Sequence, residues 1–212
     1  ATLRAAAPYQ KERSHNQVAY AIERQDIQRK IRVKKSANLI LFVVDASWSM
    51  AVAERMSATK GAIMSLLTDA YQRRDRVGLV VFQKDRATEV LAPTNSVTLA
   101  KEALADIPIG GKTPLSAGLL LSREIFRKER LNHPDVIPLM ILLTDGAGNV
   151  AITTENPQKE AHEIAAKIQH DGIRSITINM EHIAFDQGLA RQLAEALGGP
   201  CYSLTELKAE IL

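Results

Sequence analysis

Residues 39–44, Leu-Ile-Leu-Phe-Val-Val, form an unbroken apolar run that stops at Asp45, with Ser47 and Ser49 following at alternate positions. The run is far short of the roughly 20 residues a membrane helix needs. It does not alternate either, which marks a strand covered on both faces of a parallel α/β sheet. Such sheets bind ligands just beyond the carboxyl ends of their strands. Asp45 supplies a carboxylate there, and Ser47 and Ser49 supply hydroxyls. Hard oxygen donors of this kind suit Mg²⁺, Mn²⁺ or Ca²⁺.

The rest of the chain alternates helical and strand patterns. Met56, Ile63, Leu66, Leu67 and Ala70 fall at helical spacing between about Glu54 and Arg73. A second core strand spans Arg76 to Phe82, and a more exposed one near Thr88 to Leu91 follows so closely that antiparallel edge pairing is expected. Ser96 is placed to cap a helix running to about Asp106. A glycine-rich turn, Gly110-Gly111-Lys112-Thr113, opens a helix at Pro114 that carries Leu115, Leu119, Ser122, Ile125 and Phe126 inward. Val136 to Leu143 reads as another doubly covered strand and ends in Thr144-Asp145-Gly146. A helix from about Asn156 to Asp171, a strand from Ser175 to Asn179, a helix near Gly188 to Leu197 and a short strand at Cys201–Ser203 complete the alternation. The expected fold over residues 36–212 is a doubly wound, mostly parallel α/β sheet with one antiparallel edge strand.

Residues 1–35 differ in character. Residues 1–17 show neither period and read as an extended arm. Val18, Tyr20 and Ile22, then Ile27, Ile31 and Val33, alternate with other residues and predict a β-ribbon turning near Gln25-Asp26. Residues 1–40 carry nine Lys/Arg against three acids, +6 in all, so the remainder of this +3 chain is −3. Tyr9 and Tyr20 are the only aromatics among those basic residues, which argues against nucleic-acid binding. A 46% hydrophobic content supports a full core. The lone Cys201 excludes an internal disulfide, and a reducing, cytoplasmic setting is expected. A start at Ala1, without Met or a signal-peptide core, suggests a segment excised from a larger protein.

Catalytic patterns are missing. A phosphotransferase of the haloacid dehalogenase type needs a second aspartate where Ser47 stands, and a serine hydrolase needs a nucleophile elbow with a histidine base. His15, His133, His162, His170 and His182 lie in no recognisable motif. Gly111-Lys112-Thr113 ends like a phosphate-binding loop, but Leu104 to Ile109 contains no glycine to begin one.

Three strand-end loops therefore carry oxygen donors: Asp45/Ser47/Ser49, Thr113 and Asp145. Their order and separation resemble the metal-ion-dependent adhesion site of von Willebrand factor A domains. The resemblance extends to the integrin-like domain of magnesium chelatase D subunits. It rests on Phe42-Val43-Val44-Asp45-Ala46-Ser47, Arg74-Asp75-Arg76-Val77, Gly110 to Leu115, Leu142-Leu143-Thr144-Asp145-Gly146 and Leu3-Arg4-Ala5-Ala6-Ala7-Pro8-Tyr9-Gln10. That family usually has glycine where this chain has Trp48, and more commonly glycine where it has Lys112. Trp48 is either packing or an anchor beside the metal, and Lys112 is either solvated or paired with a partner's acid.

The resemblance implies a Rossmann-like fold in which Ser47, Ser49 and Thr113 contact Mg²⁺, with Mn²⁺ or Ca²⁺ as alternatives, and Asp45 and Asp145 act directly or through water. An acidic residue of a partner would complete the shell, and Trp48, Met50, Lys112 and Gly146 would form the partner-facing rim. The implied partners are an AAA+ ATPase subunit and a porphyrin-binding subunit, in a complex that inserts Mg²⁺ into protoporphyrin IX. The segment alone would not be catalytic. Two other functions fit the same residues: transient Mg²⁺ donation to the chelatase centre, and adhesion or regulation unrelated to tetrapyrroles.

Overall fold

The apolar run that ends in Asp45 lies at the centre of the sheet. In the computed structural model the described residues are 1–14, 18–29, 38–47, 61, 64–65, 68, 72–73, 75–96, 98–99, 102, 110–153, 156–181 and 186–203. Their elements, in chain order, are α1 (Thr2–Ala6), β1 (Asn38–Asp45), β2 (Arg76–Gln83), β3 (Arg86–Thr94), α2 (Leu115–Asn132), β4 (Ile137–Thr144), α3 (Pro157–His170), β5 (Arg174–Asn179), α4 (Leu189–Leu197) and β6 (Cys201–Ser203). The chain divides into two units, residues 1–35 and 36–212.

In the larger unit six strands are ordered β3-β2-β1-β4-β5-β6. β1 pairs in parallel with both β2 and β4, whereas β3 returns antiparallel along β2 after a two-residue turn, as its short connection required. Side chains of a strand alternate between faces, and β1 divides accordingly. Leu39, Leu41 and Val43 join Leu115, Leu119, Phe126, Ile164, Ile168 and Leu193 under α2, α3 and α4. Phe42 and Val44 join Val77, Leu79 and Val81, with Ile141, Leu143 and Ile178, on the opposite face, where Met64 packs.

The helix boundaries follow their chemistry. Pro114 precedes the first turn of α2, and Leu115, Leu119, Ser122, Ile125 and Phe126 are all buried, as the spacing predicts. The Asn156 side chain accepts from the backbone N–H groups of Gln158 and Lys159, and Pro157 follows at the first helical position of α3. Ser96 Oγ accepts from Leu99 N at 3.4 Å. Most of the helices expected at 54–73 and 96–106 lies outside the described residues, although Gly61, Met64, Ser65, Thr68, Gln72 and Arg73 are helical.

The smaller unit departs from expectation. Its start is not extended: Thr2–Ala6 is helical and Ala7–Tyr9 continues as a 3₁₀ turn, in keeping with the high helix propensity of Ala5, Ala6 and Ala7. Nor do residues 18–29 form the expected ribbon; a 3₁₀ turn spans Arg24–Asp26, and Ile31 and Val33 lie outside the described residues. The physical reason is visible at Ala21. The Gln10 side chain donates to Ala21 O at 2.8 Å and accepts from Ala21 N at 2.9 Å, taking both backbone groups a strand partner would use. Arg13 pairs with Asp26, which also accepts from Glu23 N at 2.8 Å and so closes the turn.

Gly118 in α2 sits against the buried ring of Phe82, where an added Cβ would lie 2.6 Å from Cδ1. Alanine gains about 1 kcal/mol over glycine in helix propensity, but overpacking a fixed core costs about 1–3 kcal/mol. Gly118→Ala is expected to destabilise the domain by about 1 kcal/mol net, read from the urea midpoint; an increased midpoint would show that the Phe82 ring can yield.

Candidate functional site

The winding of the sheet reverses between β1 and β4, because the chain leaves β1 for β2 on one side and leaves β4 for β5 on the other. The crevice at such a switch point is where open α/β sheets bind ligands. Val44 is level with Leu143 in the ladder, so Asp45 and Thr144 end their strands side by side.

Asp45 is completely buried. Its Oδ1 accepts from Ser47 N at 2.9 Å and from Ser47 Oγ at 2.6 Å, and its Oδ2 accepts from Thr144 Oγ1 at 3.2 Å. Thr113 Oγ1 donates in turn to Ser47 Oγ at 2.8 Å, a bond across 66 residues of chain. The result is a hydroxyl relay from Thr113 through Ser47 to Asp45. Burial pushes the Asp45 carboxyl up to about 7; the Ser47 and Thr144 hydrogen bonds oppose the rise and the like charge of Asp145 adds to it. Burial also raises Asp145, against the hydrogen bond from Ala147 N to its Oδ1 at 2.8 Å. Among the described residues neither carboxylate pairs with a lysine or arginine.

Four of the five predicted ligands are thus described, and Asp45, Ser47 and Thr113 are directly bonded into one cluster, with Asp145 near enough to act on Asp45. Ser49, Trp48 and Met50 lie outside the described residues. Lys112 is exposed beside Thr113. Gly146 does not belong on a partner-facing rim: it is buried with φ +84, and a Cβ there would lie 2.3 Å from Ala190 N at the start of α4. Its role is to let the Asp145 loop and α4 meet.

The donor set fits a hard divalent ion. It combines two carboxylates with hydroxyls on a shared relay, and such oxygen donors suit hard cations. Sequence reading missed three further participants. Thr144 orients Asp45 and also accepts from Gly146 N at 3.0 Å; its place between the apolar run and Asp145 was a visible signal. Asn149 and Gln158, which hold the loops around Thr113 and Asp145, carried no signal, since their partners are set by folding.

Residues 40–209 match the von Willebrand factor type A domain family, and residues 1–32 match the AAPxQ domain. The magnesium-chelatase 67 kDa subunit of Chlorobaculum tepidum is 37% identical over 228 residues, which cover 99% of this chain and 36% of that subunit. The uncharacterized protein Rv2850c of Mycobacterium tuberculosis is 41% identical over 187 residues, covering 88% of this chain and 29% of that protein. The chain therefore spans about a third of the length of these relatives. Among solved structures, a von Willebrand factor type A protein from Catenulispora acidiphila shares the fold with a TM-score of 0.59 at 22% identity, over 80% of this chain and 39% of that one. No helix among the described residues is long and apolar enough to cross a membrane. Fold and sequence agree that the chain belongs to the von Willebrand factor type A domain family and is homologous to magnesium-chelatase subunits.

Proposed function

We propose that this domain is a divalent-cation-dependent interaction module of a magnesium chelatase, working in the cytoplasm. Asp45, Ser47, Ser49, Thr113 and Asp145 hold Mg²⁺, or Mn²⁺ or Ca²⁺ in its place. The observation that carries the reading is Asp45, a fully buried carboxylate whose described partners are hydroxyls and one amide, with no cationic side chain. A carboxylate so placed is unfavourable as an anion unless a positive charge joins it.

The bound ion supplies Lewis acidity toward a carboxylate from another protein. The chain's residues do the rest. Ser47 and Thr113 present uncharged oxygens, and where Asp45 or Asp145 acts through water the positive charge of a bound ion stays only partly neutralised and receptive to an acidic partner. Lys112, exposed beside Thr113, adds a second attraction for the same acid. The partners in this reading are an AAA+ ATPase subunit and a porphyrin-binding subunit of a complex that inserts Mg²⁺ into protoporphyrin IX; homology to magnesium-chelatase subunits supports a chelatase complex. The domain itself makes and breaks no covalent bond.

Two outcomes follow. With the Asp45 carboxyl raised from 3.8 to about 7, the metal-free fold binds a proton more tightly than the unfolded chain. The Asp45 contribution to its stability is fully present below pH 3.8 and is lost as pH rises to 7, by about 4 kcal/mol in all. Asp45→Asn removes that titration, so in chelator its stability relative to the parent should improve by about 3 kcal/mol between pH 5 and pH 8, as read by urea denaturation at both values. A constant difference would mean that Asp45 is ionised in the fold throughout. Second, calorimetric titration of Mg²⁺ into chelator-stripped protein should give saturable binding that vanishes in Asp145→Ala and tightens when the ATPase subunit is present. An absence of binding at millimolar Mg²⁺ in both settings would refute the bridging ion.

A further inference from the structure

We propose that Asn149 and Gln158 are positioning residues, a clasp that locks the Thr113 loop to the Asp145 loop and so sets the affinity of the metal site. The inference rests on the metal reading above. Thr113 precedes α2 and Asp145 follows β4, and no strand ladder joins the two loops. What joins them is Asn149. Its Oδ1 accepts from Thr113 N at 2.7 Å while its own N donates to Thr113 O at 3.1 Å. Both backbone groups of Thr113 are thereby held, as in a strand pair, and rotation about Cα–Cβ is the freedom left to the hydroxyl. That hydroxyl meets Ser47 Oγ at 2.8 Å.

Gln158 completes the clasp from the other side. Its Nε2 donates to Gly146 O at 2.8 Å and its Oε1 accepts from Gly148 N at 3.0 Å, so one amide straddles the turn that follows Asp145. Gln158 N in turn donates to Asn156 Oδ1 at 2.9 Å, which fixes the residue to the first turn of α3. Neither side chain bonds to Asp45, Ser47 or the Thr113 hydroxyl, so both act through the residues they hold. Outer partners of this kind commonly change metal affinity about 10–100-fold when removed. Asn149 is exposed, and an apolar side chain of similar size there leaves both core clusters intact.

The test is titration of Mn²⁺ alone, following the electron paramagnetic resonance signal of the free ion, with the parent protein, Asn149→Leu, Asn149→Asp and Gln158→Met. Urea midpoints in chelator are measured alongside to identify any variant that has lost its fold. Asn149→Leu and Gln158→Met are expected to weaken Mn²⁺ binding about 10–100-fold while remaining folded. Asn149→Asp keeps the acceptor for Thr113 N and should bind at least as tightly as the parent. Parent-like binding by both Leu and Met variants would overturn the clasp while leaving the metal site standing. So would an Asn149→Asp variant as weak as Asn149→Leu, because the acceptor would then not be the cause. A parent protein that fails to bind Mn²⁺ would overturn the metal reading itself, and the clasp with it.

Discussion

A carboxylate buried from solvent, with no lysine or arginine partner among the described residues, stands where the winding of the sheet reverses, and the surrounding loops are arranged about it. Asp45 takes hydrogen bonds on both oxygens, yet burial outweighs them and its carboxyl rises to about 7. The balance matters because each hydrogen bond donor here is neutral. Hydroxyls and amides can orient a buried charge, but they do not cancel it. The fold carries an electrostatic cost at its centre that a divalent ion would relieve, and this is the physical support for the proposed metal site.

That cost is tolerable because the strand beneath is buried. β1 places Leu39, Leu41 and Val43 in one cluster and Phe42 and Val44 in the other, so the strand that delivers Asp45 is held on both faces. The strand end is then closed from the side by Gly146, whose left-handed backbone and missing Cβ let α4 approach the Asp145 loop. A rigid strand end and a close-packed loop together restrict where the two aspartates can go. Precision in the site is inherited from packing that never touches a ligand.

The N-terminal unit shows what pattern alone does not decide. Alternating apolar residues mark a segment that suits a strand, but a strand also needs a partner for its backbone. Ala21 finds that partner in the Gln10 amide, and the Asp26 carboxylate closes the turn with Glu23 N and Arg13. Side chains took the bonds that a ribbon would have used. The turn near Gln25-Asp26 was readable; the strands on either side of it were not formed by the described residues.

In the larger unit, local pattern was enough to specify most of the described elements. Burial on two faces writes a continuous apolar run, burial of one helical face writes a period, and both are local properties of the chain. Hence β1, β4 and α3 were legible within a residue or two and α2 by its start and its buried face, while Asp45 and Asp145 could be placed at strand ends. Folding in three dimensions was needed to settle that Thr113 would donate to Ser47, that Gly146 would be buried against α4, and that Asn149 and Gln158 would brace the loops. These depend on which loops the crossovers bring together, and on a degree of burial at Asp45 that comes from every layer at once. No window of sequence contains that information, because the groups concerned are neighbours in space and not along the chain.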